Sequence, residues 1–261
     1  MKILKEFAVS DFKNIIVETN FITSFFNKHD SHRIVFEKIL KYSENVYIPQ
    51  TAFKESIKSF KNKLDRIHTF LMSKYLKMDL NRDNSEIYEE EEKILEELNL
   101  TFDKSINFNK YLLNVSRDLR LRYLDKTDFL SALTDHVLHI ANIAVFEKVV
   151  YEHSRSINPE LNFYNVLVPN VNKPTIQKRY NKIKNAIEPV NYNDKPDKKL
   201  FLNIMYHYPD EYEFPLSFIS SDSEFIEKSR LSLIELNNQI DLDTSELKMI
   251  YVYDHFEKPT N

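Results

Sequence analysis

The stretch "NIIVETNFITSFF", residues 14–26, decides how the rest of the chain is read. Its apolar run, Ile15-Ile16-Val17, stops at Glu18-Thr19-Asn20 and gives way at once to an aromatic-rich helical pattern. An apolar run this short, bounded by polar residues, reads as a buried strand. In an open parallel α/β sheet, ligands bind at the carboxyl ends of the strands. A carboxylate, a hydroxyl and an amide at that end raise one question. Do other strands send acids to the same edge?

Working outward, "NVYIPQ" (45–50) is a second short strand ending at Pro49, and "PLSFIS" (215–220) is a third, running into Ser220-Ser221-Asp222. A last strand, "KMIYVYD" (248–254), closes the pattern. Helical spacing continues through Lys28 after the first strand, and again over 31–44. Residues 51–78 place Phe53, Ile57, Phe60, Leu64, Ile67 and Leu71 on one helical face, with Thr51 as the expected cap. An acidic helix over 81–100 is capped by Asn84 or Ser85; its sparse apolar positions (Ile87, Ile94, Leu95, Leu98) read as a solvated insertion. Two more helices are expected at about 105–122 and 127–155, and the Pro- and Asn-punctuated 159–174 reads as loop. Basic helix 175–188 ends at Pro189, and helices over 197–208 and 223–239 follow. Strands alternating with helices predict an α/β fold, a parallel sheet built from right-handed crossovers and flanked by helices. The core falls at about 14–60 and 190–254 of a single domain spanning 1–261, with a long helical insertion at about 61–189.

Composition narrows the chemistry. The 261 residues are 42% hydrophobic and 29% charged, with 19 Phe and 15 Tyr to fill a core, as in a soluble globular protein of one or two domains. There is no Cys, which excludes disulfides, thiolate metal sites and cysteine nucleophiles. There is no Gly, which excludes the glycine-rich phosphate loops. Positive-φ positions must then fall to Asn or Asp. The net charge of −4 lacks the global basicity of a protein that coats nucleic acid. No window reaches a membrane span of about 18 apolar residues, and "MKILKEFAVSDF" carries charges where a leader needs its apolar centre. The expected location is the cytoplasm, away from membranes.

Four acids fall at equivalent edges of the expected sheet. Glu18 follows the first strand, Glu55 follows "VYIP", Asp197 opens a late helix and Asp222 follows "SFISS". Two carboxylates about 4 Å apart repel by about 4 kcal/mol at an effective dielectric of 20. A cluster of them persists through raised pKa values or by holding hard cations. Oxygen-only ligands select Mg²⁺ or Mn²⁺, and such ions beside open water positions suit phosphodiester hydrolysis.

The ordered set "IIVETN", "VYIPQTAFKES", "DKKLFLNIMYHY" and "FISSDSEF" resembles the PIN-domain nucleases, the larger bacterial type more than the small toxin type. In that family the first strand ends in Asp followed by Thr or Ser and Asn. A hydrophobic-Pro…Glu segment, an Asp opening a late helix and a strand ending in S/T-x-D-x-x-F come next. The resemblance implies a PIN-like sheet and metal-dependent endonucleolytic cleavage of single-stranded RNA. Glu18, Glu55, Asp197 and Asp222 would be both catalytic residues and ligands of Mg²⁺ or Mn²⁺. Asn20 and Ser220 would be supporting polar neighbours. Glu18 stands where the family has Asp, and the alternative it opens is a catalytically silent PIN-like scaffold that binds RNA or a protein partner. A homo-oligomer or an inhibitory protein partner is compatible with either.

Other residues compete for these roles. Asp194 could be a neighbour of the third acid or the ligand itself. Asp128 also opens an apolar helix, but lies too far ahead of Asp222 for one helix-loop-strand step. The helical "DHVLH" with Asp135, His136 and His139 reads as packing or surface before it reads as a metal site. For RNA, backbone contacts are assigned to Lys178, Arg179 and Lys182 in the basic helix and to Lys58 and Lys61, with Tyr180 or Phe60 available for base stacking.

Overall fold

The computed structural model describes residues 9–26, 30, 32–102 and 106–258. Five parallel strands form one sheet: β1 (Asn14–Val17), β2 (Asn45–Pro49), β3 (Asn162–Val166), β4 (Leu216–Ser220) and β5 (Leu247–Tyr251), in the order β3-β2-β1-β4-β5. The fold is α/β. β1 is central, with Ile16 opposite Tyr47 on one side and Phe218 on the other. Every residue of β1, β2 and β4 is buried, which is why these strands read as apolar runs rather than alternating ones.

Register is pinned at the amino ends of the strands by buried amides. Asn45 Nδ2 donates to Asn14 Oδ1 at 2.7 Å, Asn162 Nδ2 donates to Asn45 Oδ1 at 3.3 Å, and Asn14 Nδ2 donates to the Pro215 carbonyl at 3.1 Å. A slip of one residue in any strand would strand these amides without partners, so the ladder selects one register.

The helices in chain order are α1 (Thr19–Phe26), α2 (Arg33–Leu40), α3 (Gln50–Lys77), α4 (Asn84–Thr101), α5 (Ile106–Arg122), α6 (Lys126–Ile140), α7 (Ile143–Ile157), α8 (Pro174–Ala186), α9 (Lys195–His207) and α10 (Ser223–Ile240). α9 packs on β2 and β3, α10 packs on β4 and β5, and α8 packs against both helices. No helix among the described residues is long and apolar enough to cross a membrane. The only positive φ outside glycine among the described residues is Asp241, at 51°, capping the end of α10 where a glycine-free chain must use Asp or Asn.

The chain divides into two compact units, one made of residues 1–24, 31–56 and 150–261, the other of 25–30 and 57–149. The first carries the sheet. The second is helical, and its core is organised around a buried carboxylate. Glu91 is fully buried and accepts from Tyr75 Oη at 3.0 Å, Arg120 Nε at 3.0 Å and Arg117 Nε at 2.9 Å. These bonds join α3, α4 and α5, so α4 is not merely a solvated acidic helix.

Several sequence expectations change. Residues 162–166 form β3 rather than loop; the strand is mostly exposed and mixes Asn with aromatics, so it lacks the apolar run of the others. The helix expected over 127–155 is two helices broken at Ala141-Asn142, where both flanking stretches are apolar and only the turn-forming Asn marks the break. The cap of α4 is Asp83, one residue before the expected pair. α3 already begins at Gln50, leaving Thr51 inside the first turn, its hydroxyl without a hydrogen-bond partner. β5 stops at Tyr251, and Val252–Asp254 is a 3-10 turn. The expected end of the first helix at Asn27-Lys28, the start of the fifth at Ser105 and the first eight residues lie outside the described residues.

Candidate active site

β1 and β4 are adjacent in the sheet, yet β1 leads to β2 on one side and β4 to β5 on the other. Chain order reverses between them, which makes this pair the topological switch point. In open parallel sheets this is the point where ligands bind, outside the carboxyl ends of the strands. Val17 lies opposite Ile219, so Glu18 and Ser220-Ser221-Asp222 emerge side by side.

Glu18 is buried at 5% exposure. Its Oε1 accepts from Ser220 Oγ at 3.1 Å, Ser221 N at 3.2 Å and Ser221 Oγ at 3.4 Å, and its Oε2 accepts from Asn20 N at 3.0 Å. Burial pushes its carboxyl up from the usual range, opposed by the amide donors of Asn20 and Ser221 and by the Ser220 hydroxyl. Asn20 therefore enters the site through its backbone amide.

Glu55 lies in the second turn of α3, where its Oε2 accepts from Thr19 Oγ1 at 3.0 Å; Ser56 Oγ donates to the Thr19 carbonyl at 3.1 Å. These two bonds tie α3 to the start of α1. Asp222 is the N-cap of α10, its Oδ1 accepting from Glu224 N at 2.9 Å and Phe225 N at 3.0 Å. Asp194 stands at the N-cap of α9 but makes no capping bond, and Asp197 follows in the first turn. Neither Asp194 nor Asp197 has a side-chain hydrogen bond or ion pair among the described residues.

The two helix starts are fastened together. Asn193 Nδ2 donates to Glu224 Oε1, Tyr192 Oη bonds Ser232 Oγ at 2.9 Å, and the Tyr192 ring lies 6.3 Å from that of Phe225. Two positive helix ends thus point toward the acids and offset part of their repulsion. The residual shows at Asp197, whose carboxyl is pushed from its ordinary 3.8 up to about 7 by burial and then, in decreasing order, by the charges of Asp194, Asp222, Glu55 and Glu18. The structure thus brings all five acids into one field. Asp128, by contrast, sits in the first turn of α6 in the second unit.

The acids are not a finished ligand sphere. Among the described residues, no group of three or more His, Cys, Asp or Glu side chains is arranged to hold a metal ion as it stands. Glu18 and one oxygen of Asp222 are committed to backbone amides and hydroxyls. The donor chemistry nonetheless fits a hard divalent cation: all oxygen, multiply anionic, with the carboxylates of Asp194 and Asp197, one oxygen of Glu55 and one of Asp222 not engaged by hydrogen bonds.

The basic residues separate into two groups. Arg179 is engaged, donating to Asp210 Oδ2 at 2.8 Å and to the Tyr208 carbonyl at 2.7 Å, with its guanidinium over the Tyr206 ring. Lys178 and Lys182 are exposed on α8. Lys58 is exposed and Lys61 half-buried in the second unit. Phe60 is buried at 2% exposure in that unit's core, 5.5 Å from Phe108, so its ring has no face for a base. His136 pairs with Tyr111 Oη at 3.4 Å.

Thr19 and Ser221, visible in the sequence at the strand ends but given no role there, and Tyr192 are further site residues. The first two sit beside the acids, and their role could have been found by asking which donors satisfy a carboxylate at a strand end. Compared with known proteins, the chain matches no family model, no curated protein and no solved structure.

Proposed function

We propose that this chain is a Mg²⁺- or Mn²⁺-dependent endoribonuclease of PIN-like type that hydrolyses phosphodiester bonds of single-stranded RNA. The observation that carries the reading is the placement of five acids at the switch point of a parallel sheet: Glu18 ends β1, Asp222 caps α10 after β4, Glu55 is bonded to Thr19 beside Glu18, and Asp194 and Asp197 open α9, which is fastened to α10. The charges of the other four help hold the Asp197 carboxyl up. Asp197, Asp222, Glu55 and Asp194 would hold the ion. When bound, it supplies polarisation of the phosphate and a water acidic enough to be a nucleophile at neutral pH.

The chain's own residues do the rest. Thr19 keeps one oxygen of Glu55 turned toward α1 and leaves the other available. The start of α10 fixes Asp222 through its two amide bonds, so its second oxygen has a defined direction. Lys178 and Lys182 offer phosphate contacts that track a strand without reading its sequence. Arg179 instead holds α8 to the segment around Tyr208.

One observation favours a second reading, the silent scaffold that binds RNA or protein: the first acid of the set, Glu18, has its oxygens already hydrogen-bonded. Calorimetric titration with Mn²⁺ decides between them. Uptake of the ion by the wild type and its loss in Asp197→Asn supports the enzyme; no uptake leaves the scaffold.

A further inference from the structure

We infer that Glu18 is a positioning residue, a strut that locks the end of β1 to the end of β4, rather than a ligand of the metal. The inference rests on the metal-site reading only for the word ligand; the strut itself stands on the hydrogen bonds.

Each carboxylate oxygen of Glu18 serves a different element. The Glu18 carbonyl accepts from Ile22 N and so begins α1, and Oε2 accepts from Asn20 N, capping that helix with a side chain one methylene longer than the usual Asp cap. Oε1 crosses to β4 and takes the Ser220 hydroxyl, the Ser221 amide and the Ser221 hydroxyl. Ser220 Oγ in turn accepts from Asp222 N at 2.9 Å. A continuous path therefore runs from the β1 terminus through Glu18 and Ser220 to the backbone of Asp222, the cap of α10. Three donors converge on Oε1, more than its two lone-pair positions, and one on Oε2, so the oxygen facing β4 is fully occupied. Glu18 is also the weakest of the four charges acting on Asp197.

Length explains the residue type. Aspartate at position 18 would retract the carboxylate by about 1.5 Å, one C–C bond, and contacts of 3.1–3.4 Å to Ser220 and Ser221 would open beyond hydrogen-bonding range. The glutamate is the shortest acid that can both cap α1 and reach β4. The departure from the Asp of the resembling family is then a requirement of the strut.

The test uses the full chain and three variants. Thermal melts in EDTA should fall by about 5 °C for Glu18→Asp and for Ser220→Ala. The double variant should fall little further, since both remove one path. Mn²⁺ titration and the electron paramagnetic resonance spectrum of the bound ion read the other half. Glu18→Gln keeps the reach, and should weaken Mn²⁺ by no more than about tenfold while leaving the spectrum close to wild type. Asp197→Asn should abolish saturable binding. On RNA, both Glu18 variants should leave KM unchanged, with kcat falling more in Glu18→Asp, which loses the reach, than in Glu18→Gln, which keeps it. The strut is overturned if the Glu18→Asp and Ser220→Ala losses add in full. The positioning role is overturned if Glu18→Gln loses Mn²⁺ as completely as Asp197→Asn with an unchanged melt. If the wild type takes up no Mn²⁺, the metal-site reading falls, and the melts and their non-additivity still decide the strut.

Discussion

Asp197→Asn should stabilise the metal-free protein, and more so as pH rises. The carboxyl of Asp197 moves from 3.8 to about 7 on folding. An acid raised in this way binds its proton more tightly in the folded chain than in the unfolded one. The folded state is therefore favoured least where the group must ionise. Its stability falls as pH climbs from about 4 to about 7, and the deficit is constant above that. Taken at face value the shift corresponds to about 4 kcal/mol. The group is half-exposed, and solvent screening reduces the figure to about 1–2 kcal/mol. For a chain of this length that is about 5 °C in Tm. Melts in EDTA should show Asp197→Asn about 5 °C above wild type at pH 8, with the gap shrinking toward pH 5. Adding Mn²⁺ should reverse the order, because only the wild type gains stability by binding the ion. A pH-independent difference, or a variant less stable than wild type in EDTA at pH 8, would refute the idea that convergent negative charge strains this site.

Glu91→Ala should destabilise by about 2–3 kcal/mol in urea unfolding, because Tyr75 and Arg120 lose their buried acceptor and Arg117 keeps only Glu92. Asp222→Asn, which still caps and removes one of the charges acting on Asp197, should melt at or above the wild type in EDTA, whereas Asp222→Ala should fall about 1 kcal/mol below Asp222→Asn for want of the cap of α10. Replacing Lys178 and Lys182 by Ala should weaken RNA binding and make the slope of log affinity against log salt shallower by about 1.4, measured by fluorescence anisotropy.

Much of this was legible because the buried parallel strands are apolar on both faces and stop sharply. "IIV" and "SFIS" could be placed, along with the acids after them, from sequence alone. β3 could not be, since an edge strand exposed along most of its length need not be apolar, and the Pro and Asn residues around and within "NFYNV" give the stretch 159–174 the punctuation of a loop. The acids were legible as a set but their division of labour was not. Spacing places Glu18 at a strand end; it does not show that Ser220, Ser221 and the Asn20 amide converge on it. In the same way Asp194, a cap by position, leaves its carboxylate uncommitted, and Arg179, one cation in a basic helix by pattern, is held by Asp210 and the Tyr208 carbonyl. Those facts depend on partners far away in the chain, which local periodicity does not encode.

Cleavage of an end-labelled single-stranded RNA by the purified full chain at pH 8, followed on a denaturing gel, tests the central claim most directly. The RNA should be cut in Mn²⁺ or Mg²⁺ and left intact in EDTA. In Asp197→Asn cleavage should fall by about a hundredfold or more, with RNA affinity retained. Cleavage that persists in EDTA, or that survives Asp197→Asn undiminished, would contradict the claim, as would a wild type that never cuts with either ion.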